Sequence, residues 1–301
     1  MKLATTTSDF RRFCDSYEDC IRHVCEAGFR YLDLSQYLPR PNDPLLIRSD
    51  WQDTAKRLQE VAQSYGATFV QSHAPGGSPL AEDEELFRTT VRSIEVCGAL
   101  GIPNIVVHGG TLPNLTKAEF FEKNRVFFRR LIPVMEKTGV NVLCENSTKA
   151  NMGTAYFTNS GADMKEFVQY LDHPLFHACW DTGHANVEGS QYDEILTLGK
   201  DLYALHINDN RGFQDEHLLP FLGTMNLDEI LHALIDINYT GYFTFEAGSS
   251  LRTKQYWLGD RREFPKATRL VEAPLFLHNH LEKAMFVLGV YILQQYHCFE
   301  A

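Results

Sequence analysis

Short runs of apolar and β-branched residues alternate along this chain with longer stretches whose apolar positions recur every three or four residues. The runs are FRYLDL (29–34), ATFVQSH (67–73), NIVVHGG (104–110), VNVLCEN (140–146), FHACWD (176–181), LYALHIND (202–209) and YFTFEAG (242–248), and KLATTT at the start is a candidate eighth. Near-continuous apolar runs of this length are the mark of strands covered on both faces in a parallel sheet. The helical period falls between them, at 50–65, 82–100, 116–138, 161–171 and 226–237. In NLDEILHALIDI, Leu227, Ile230, Leu231 and Leu234 share one helix face behind Asn226, a good N-cap. Gly28, Gly66, Gly101, Gly139 and Gly241 stand just past helical stretches, as a left-handed helix stop requires.

This alternation predicts a (β/α)8 TIM barrel over about residues 1–250. A C-terminal helical extension over about 251–301, with a helix near 272–297 on the barrel's outside, completes a single domain of 1–301. An open doubly wound sheet is the other architecture for such a pattern, but no Gly-rich phosphate loop follows any strand.

Catalytic groups of a barrel come from the C-terminal ends of its strands. Here those ends carry Asp33, His73, His108, Glu145, Asp181, His206 and Glu246, one per βα unit. Singly, Asp33 reads as a turn former or helix cap, and His73 or His108 as a structural histidine. Together they read differently. Carboxylates at 145, 181 and 246 cannot crowd one space as anions without compensating positive charge, because like charges raise each other's pKa. A divalent cation supplies that charge, and one histidine with three carboxylates suits Mn²⁺, Mg²⁺, Co²⁺ or Zn²⁺.

Composition narrows the partners. The net charge of −11, from 28 basic and 39 acidic residues, disfavours a nucleic-acid surface, whose affinity depends on neutralising phosphates. Seven cysteines with no C-x-x-C pair, several inside apolar runs, fit reduced thiols in a cytosolic protein. The start, MKLATTTSDF, has no apolar signal region, and the apolar stretch AMFVLGVYIL is about half a membrane span. A soluble cytoplasmic protein with no membrane partner is expected.

The motifs VLCEN, WDTGHA, LHINDN…DEHLLPFLG and FTFEAG, in this order, resemble signatures of the xylose-isomerase-like TIM-barrel superfamily across roughly residues 1–250. That group includes ketose 3-epimerases, inosose dehydratases and isomerases, and endonuclease IV. The resemblance implies one divalent ion, Mn²⁺ favoured, on Glu145, Asp181, His206 and Glu246. It places substrate oxygens on His184 and Arg211, with His73 and His108 as further substrate contacts and Asp215 and His217 as additional site residues. Glu145 and Glu246 would be the acid/base pair of a sugar isomerase or epimerase working through a cis-enediolate.

Three alternatives stand beside this expectation. Dehydration of an inosose-like polyol ketone begins with the same enediolate. Endonuclease IV-like phosphodiester cleavage would use His73, His108, Glu145, Asp181, His184, His206, Asp215, His217 and Glu246 around three zinc ions. Against it count the acidic balance, HGG at His108 where the repair enzymes favour HPG, and the missing N-terminal glycine loop. A metal-binding subunit without catalysis is the third. The segment 249–269, with Tyr256, Trp257 and Phe264, reads as a lid or phosphate clamp or as a solvated connection; Trp51 and Trp257 are candidate walls of the site. The apolar helix LEKAMFVLGVYILQQY predicts a homo-oligomer, a dimer or tetramer.

Overall fold

The computed structural model describes residues 1–251, 265–266 and 272–300. Eight strands run in parallel: β1 (Lys2–Thr6), β2 (Tyr31–Ser35), β3 (Thr68–His73), β4 (Asn104–Val107), β5 (Asn141–Glu145), β6 (Phe176–Asp181), β7 (Leu202–His206) and β8 (Tyr242–Phe245). Each pairs with its neighbour in sequence, and β8 returns to β1. The ring closes between β7 and β8: the Ile207 N–H donates to the Thr244 carbonyl at 2.8 Å, and the Glu246 N–H donates to the Ile207 carbonyl at 3.1 Å. This is the predicted TIM barrel.

The helices of the outer ring are α1 (Tyr17–Ala27), α2 (Trp51–Ser64), α3 (Glu84–Leu100), α4 (Lys117–Thr138), the short α5 (Lys149–Met152), α6 (Gly161–Leu171), α7 (Thr182–Glu188), α8 (Tyr192–Leu198), α9 (Leu227–Asp236) and α10 (Leu275–Gln295). Their starts follow local chemistry. Thr116 and Glu119 form a reciprocal capping box at α4, and the Asn226 side chain accepts from the Glu229 N–H at α9. Gly66, Gly101 and Gly139 take the predicted positive φ, but after α9 that conformation falls to Asn238, at φ 55°. Gly241 instead lets Tyr239 close in, since a Cβ there would lie 2.3 Å from the Tyr239 hydroxyl. The β6–β7 connection folds into α7 and α8, which apolar periodicity does not mark because seven residues make too few turns to display a face.

Two apolar layers support the mouth. Outside the strands, the main core joins them to the helices, and Phe127, Phe128 and Phe167 are buried in it as predicted. Inside the barrel a small plug of Val106, Leu143, Cys179 and Ala204 fills the interior. Each plug residue lies two positions before His108, Glu145, Asp181 or His206. The period of two therefore aims those four polar side chains inward as well. Six of the cysteines are buried, and all seven are free thiols.

Helix α10 packs against α1 and β1. Gly289 lies so close to Leu3 and Phe245 that a Cβ would meet each at 2.6 Å, so α10 fills the place between the last strand and the first. Its outer side leaves Phe276, Val287 and Tyr291 exposed. No described helix is long and apolar enough to cross a membrane.

Candidate active site

The motif WDTGHA is a strand end passing into a helix. Asp181, the last residue of β6, caps α7: its Oδ1 accepts from the His184 N–H at 2.7 Å. The three-residue spacing is thus that of an N-cap and its N3 position, and His184 lines the mouth. The Asp181 Oδ2 accepts from the Asn208 side-chain amide at 2.8 Å. Asn146 holds the strand end itself, with its Oδ1 accepting the Asp181 N–H at 2.6 Å and its Nδ2 donating to the Asp181 carbonyl at 2.9 Å.

Glu145, Asp181, His206 and Glu246 converge. Each offers a ligand atom, and these atoms all lie within 4.8 Å of one another. The His206 Nδ1 is 2.5 Å from Glu145 Oε1 and 3.4 Å from Glu246 Oε2. Its other nitrogen, Nε2, donates to Asp33 Oδ2 at 3.3 Å and touches the Gln71 amide at 2.8 Å. The Gln71 amide nitrogen also donates to Asp33 Oδ2, at 3.1 Å. A carboxylate behind a histidine fixes the tautomer that leaves Nδ1 free to ligate. Asp33, which alone reads as a turn or cap residue, is therefore buried support for His206.

Two further clusters flank this one. His73 Nε2 and His108 Nε2 lie 3.6 and 3.2 Å from Glu145 Oε2. On the other side, His184 Nε2 and His217 Nε2 each lie 3.2 Å from Asp215 Oδ2, while His217 Nδ1 donates to the Glu246 carbonyl at 2.8 Å. His73, His108, Glu145, His184, Asp215, His217 and Glu246 line one cavity of about 530 Å³, with Tyr37, Ser147, Asn151 and Met152 among its other walls.

The charges show what the site demands. Burial alone would raise Glu145, yet the charge of His206 and hydrogen bonds from His206 and His73 outweigh it and hold the carboxylate well below its ordinary range. Burial pushes Asp181 up to about 6, against the pull of His184. Burial would lower His184, but Asp181 and Asp215 carry it up to about 10. His206 and His217 also rise well above their ordinary value, because the surrounding carboxylates overcome burial. Burial pushes His108 down to about 4, outweighing the pull of Glu145. Imidazolium protons thus balance a concentration of buried carboxylates, and a divalent cation fits the same electrostatic demand. The one-imidazole, three-carboxylate donor set suits Mn²⁺, Mg²⁺, Co²⁺ or Zn²⁺.

Comparison with known proteins accords with this geometry. The family model described as xylose isomerase-like TIM barrel matches residues 21–269. The chain belongs to that family. Among the family's relatives, a D-psicose 3-epimerase of Ruminiclostridium cellulolyticum is 25% identical over 244 residues, 76% of this chain and 78% of its own. An inosose dehydratase of Bacillus thuringiensis is 24% identical over 266 residues, 77% of this chain and 82% of its own. In fold, a crystal structure of the IolI protein with a bound zinc atom superposes with a TM-score of 0.72 at 18% identity, covering 98% of this chain and 99% of that one. The chain's sequence relatives thus include a ketose 3-epimerase and an inosose dehydratase, and a protein of the same fold binds zinc.

Some predicted residues fall elsewhere. The Arg211 guanidinium lies on Glu216, with Nη2 donating to Oε1 at 2.8 Å and Nε to both carboxylate oxygens at 3.1 Å. It is not among the residues lining the mouth cavity. Trp51 begins α2 in the outer ring, under the Arg92 guanidinium at 5.0 Å, and so does not wall the site. Tyr256, Trp257, Phe264 and most of the segment 249–269 lie outside the described residues. Motif spacing does not reveal Gln71, Tyr37 or the support role of Asp33. Asn146 and Asn208 stand one and two residues after Glu145 and His206, and that adjacency in VLCEN and LHIND is the signal for them.

Proposed function

We propose that this protein is a divalent-metal-dependent sugar isomerase or epimerase that moves a proton on the carbon next to the carbonyl of a ketose or related polyol ketone. The observation that carries the reading is the placement of Glu145 and Glu246. They come from strands three apart around the ring, both reach His206, and both line the cavity. A substrate between them meets one carboxylate on each side. One takes the proton, and the other returns one to the opposite face of the cis-enediolate. A cation held by Glu145, Asp181, His206 and Glu246 would polarise the substrate's carbonyl and hydroxyl oxygens and stabilise developing negative charge. His184, fixed through Nδ1 by the Asn146 carbonyl and through Nε2 by Asp215, lines the cavity, where a substrate hydroxyl would share Nε2 with Asp215. His108 is neutral near pH 7 and able to accept or donate one hydrogen bond there. Names among the relatives support this chemistry: one is a ketose 3-epimerase and another removes water from an inosose.

The test is solvent deuterium entering the carbon next to the carbonyl when manganese-loaded protein meets D-psicose, D-fructose, D-tagatose and inososes in heavy water. Exchange with at least one, reduced about 10²–10⁴-fold in Glu145→Gln and in Glu246→Gln, is the expected result. Exchange undiminished in both variants would sink the proton-transfer assignment. Exchange followed by loss of water would place the protein with the dehydratases.

One observation favours a second reading. His73, His108 and Glu145 form one possible ligand group, and His184, Asp215 and His217 another, beside the central four. A metal-dependent phosphodiesterase of the endonuclease IV kind would use all three groups. Metal content separates them: about one ion per chain supports sugar chemistry, and three zinc ions with cleavage of abasic DNA support the nuclease.

A further inference from the structure

A second compartment, of about 450 Å³, adjoins the mouth and shares Tyr37, His217 and Glu246 with it. Its outer wall is basic. Arg11 and Arg12 come from the turn after β1 and Arg40 from the loop after β2, in a chain whose net charge is −11. Arg40 ties that wall in place: its guanidinium donates to the carbonyls of Arg11, Cys14 and Asp15, fixing the turn that carries the other two arginines.

Arg11 is the telling residue. Its side chain is only 13% exposed, and its guanidinium lies over the Tyr17 ring at 4.5 Å from the centroid. It gives one N–H to Asp43 at 3.3 Å. That carboxylate is also claimed by the Tyr17 hydroxyl and by the N–H groups of Arg40, Leu45 and Leu46. Among the described residues the rest of the Arg11 side-chain fork has no hydrogen-bond acceptor. Sheltered guanidinium donors facing a cavity call for an anion, and the planar fork matches phosphate or carboxylate with two parallel bonds. Two carboxyls, Asp9 and Glu246, line the same compartment, and burial raises that of Asp9.

We propose that this compartment binds a phosphate or carboxylate carried on the substrate, at the end remote from the carbons held between Glu145 and Glu246. The substrate is then an acidic sugar or polyol ketone. This inference rests on the sugar-enzyme reading for its substrate, but its test reads anion binding without turnover, so failure of either leaves the other standing.

Metal-loaded protein is titrated by calorimetry with inorganic phosphate and, separately, with gluconate; the titrations are repeated after metal removal and in Arg11→Gln, Arg12→Gln and Arg11→Lys. At least one anion is expected to bind, to remain bound without metal, and to bind about tenfold or more weakly in Arg11→Gln. Arg11→Lys keeps the charge beside Asp43, guarding against loss of the fold, and is expected to weaken binding severalfold for want of the fork. Phosphate binding alone points to a phosphorylated sugar and gluconate binding alone to a sugar acid. No binding by either anion, or equal binding by wild type, Arg11→Gln and Arg11→Lys, would overturn the proposal.

Discussion

Gly183 offers a severe test of how Asp181 is held. A Cβ at this position would lie 1.8 Å from Asn208 Oδ1 and 2.7 Å from its Cγ. Contact between a methyl carbon and an amide oxygen needs about 3.2 Å or more, so Gly183→Ala must move the Asn208 side chain by roughly 1.5 Å. That side chain is fully buried, and its Nδ2 donates to Asp181 Oδ2 at 2.8 Å. Its backbone N–H is held by Thr182 Oγ1 at 3.1 Å. Loss of a hydrogen bond to a charged acceptor costs about 1.5–3 kcal/mol, and overpacking about 1–3 kcal/mol more. Gly183→Ala is therefore expected to lower unfolding free energy in urea by about 3–5 kcal/mol. By loosening a ligand's support, it should also weaken Mn²⁺ binding about 10–100-fold. Asn208→Ala removes the obstructing amide, so Gly183→Ala should cost much less in that background, a coupling that a double-mutant cycle reads directly. If Gly183→Ala matched wild type in both stability and Mn²⁺ affinity, Asn208 could not be what positions Asp181.

Two more expectations come from the surroundings of the site. Asp33→Asn removes the carboxylate behind His206, and calorimetric Mn²⁺ affinity should fall about 10–100-fold, whereas unchanged affinity would remove Asp33 from the support of the ligand. Asp9 is raised from 3.8 to about 7, chiefly by burial and next by Glu246, with Glu282 of α10, His217 and Arg12 also facing it. Its folded form holds a proton that the unfolded chain has lost, so its contribution to stability falls as pH rises between about 4 and about 7. The melting temperature of Asp9→Asn relative to wild type should therefore climb across that window and level off above it; a pH-independent difference would contradict the assignment.

The fold was legible because nearly every strand is buried on both faces and announces itself as an apolar run. The barrel mouth was legible for the same reason: a carboxylate or imidazole ending such a run has few bland uses when the pattern repeats around the ring. Asp33 shows the limit. At a strand end its sequence context is that of any turn-forming aspartate, and only closure of the ring brings it from β2 to His206 on β7. Arg211 shows the converse. Its place after HINDN marks it for substrate, yet Glu216, five residues on, takes its guanidinium. The basic compartment was invisible because Arg11, Arg12 and Arg40 belong to two loops with no shared motif, gathered by backbone hydrogen bonds to Arg40.

The most direct test of the central claim is an anomalous difference map from a crystal of the protein soaked in Mn²⁺. The account predicts a peak with one atom each of Glu145, Asp181, His206 and Glu246 at about 2.0–2.6 Å. A peak held only by His184, Asp215 and His217, or four side chains turned away from a common centre, would contradict it.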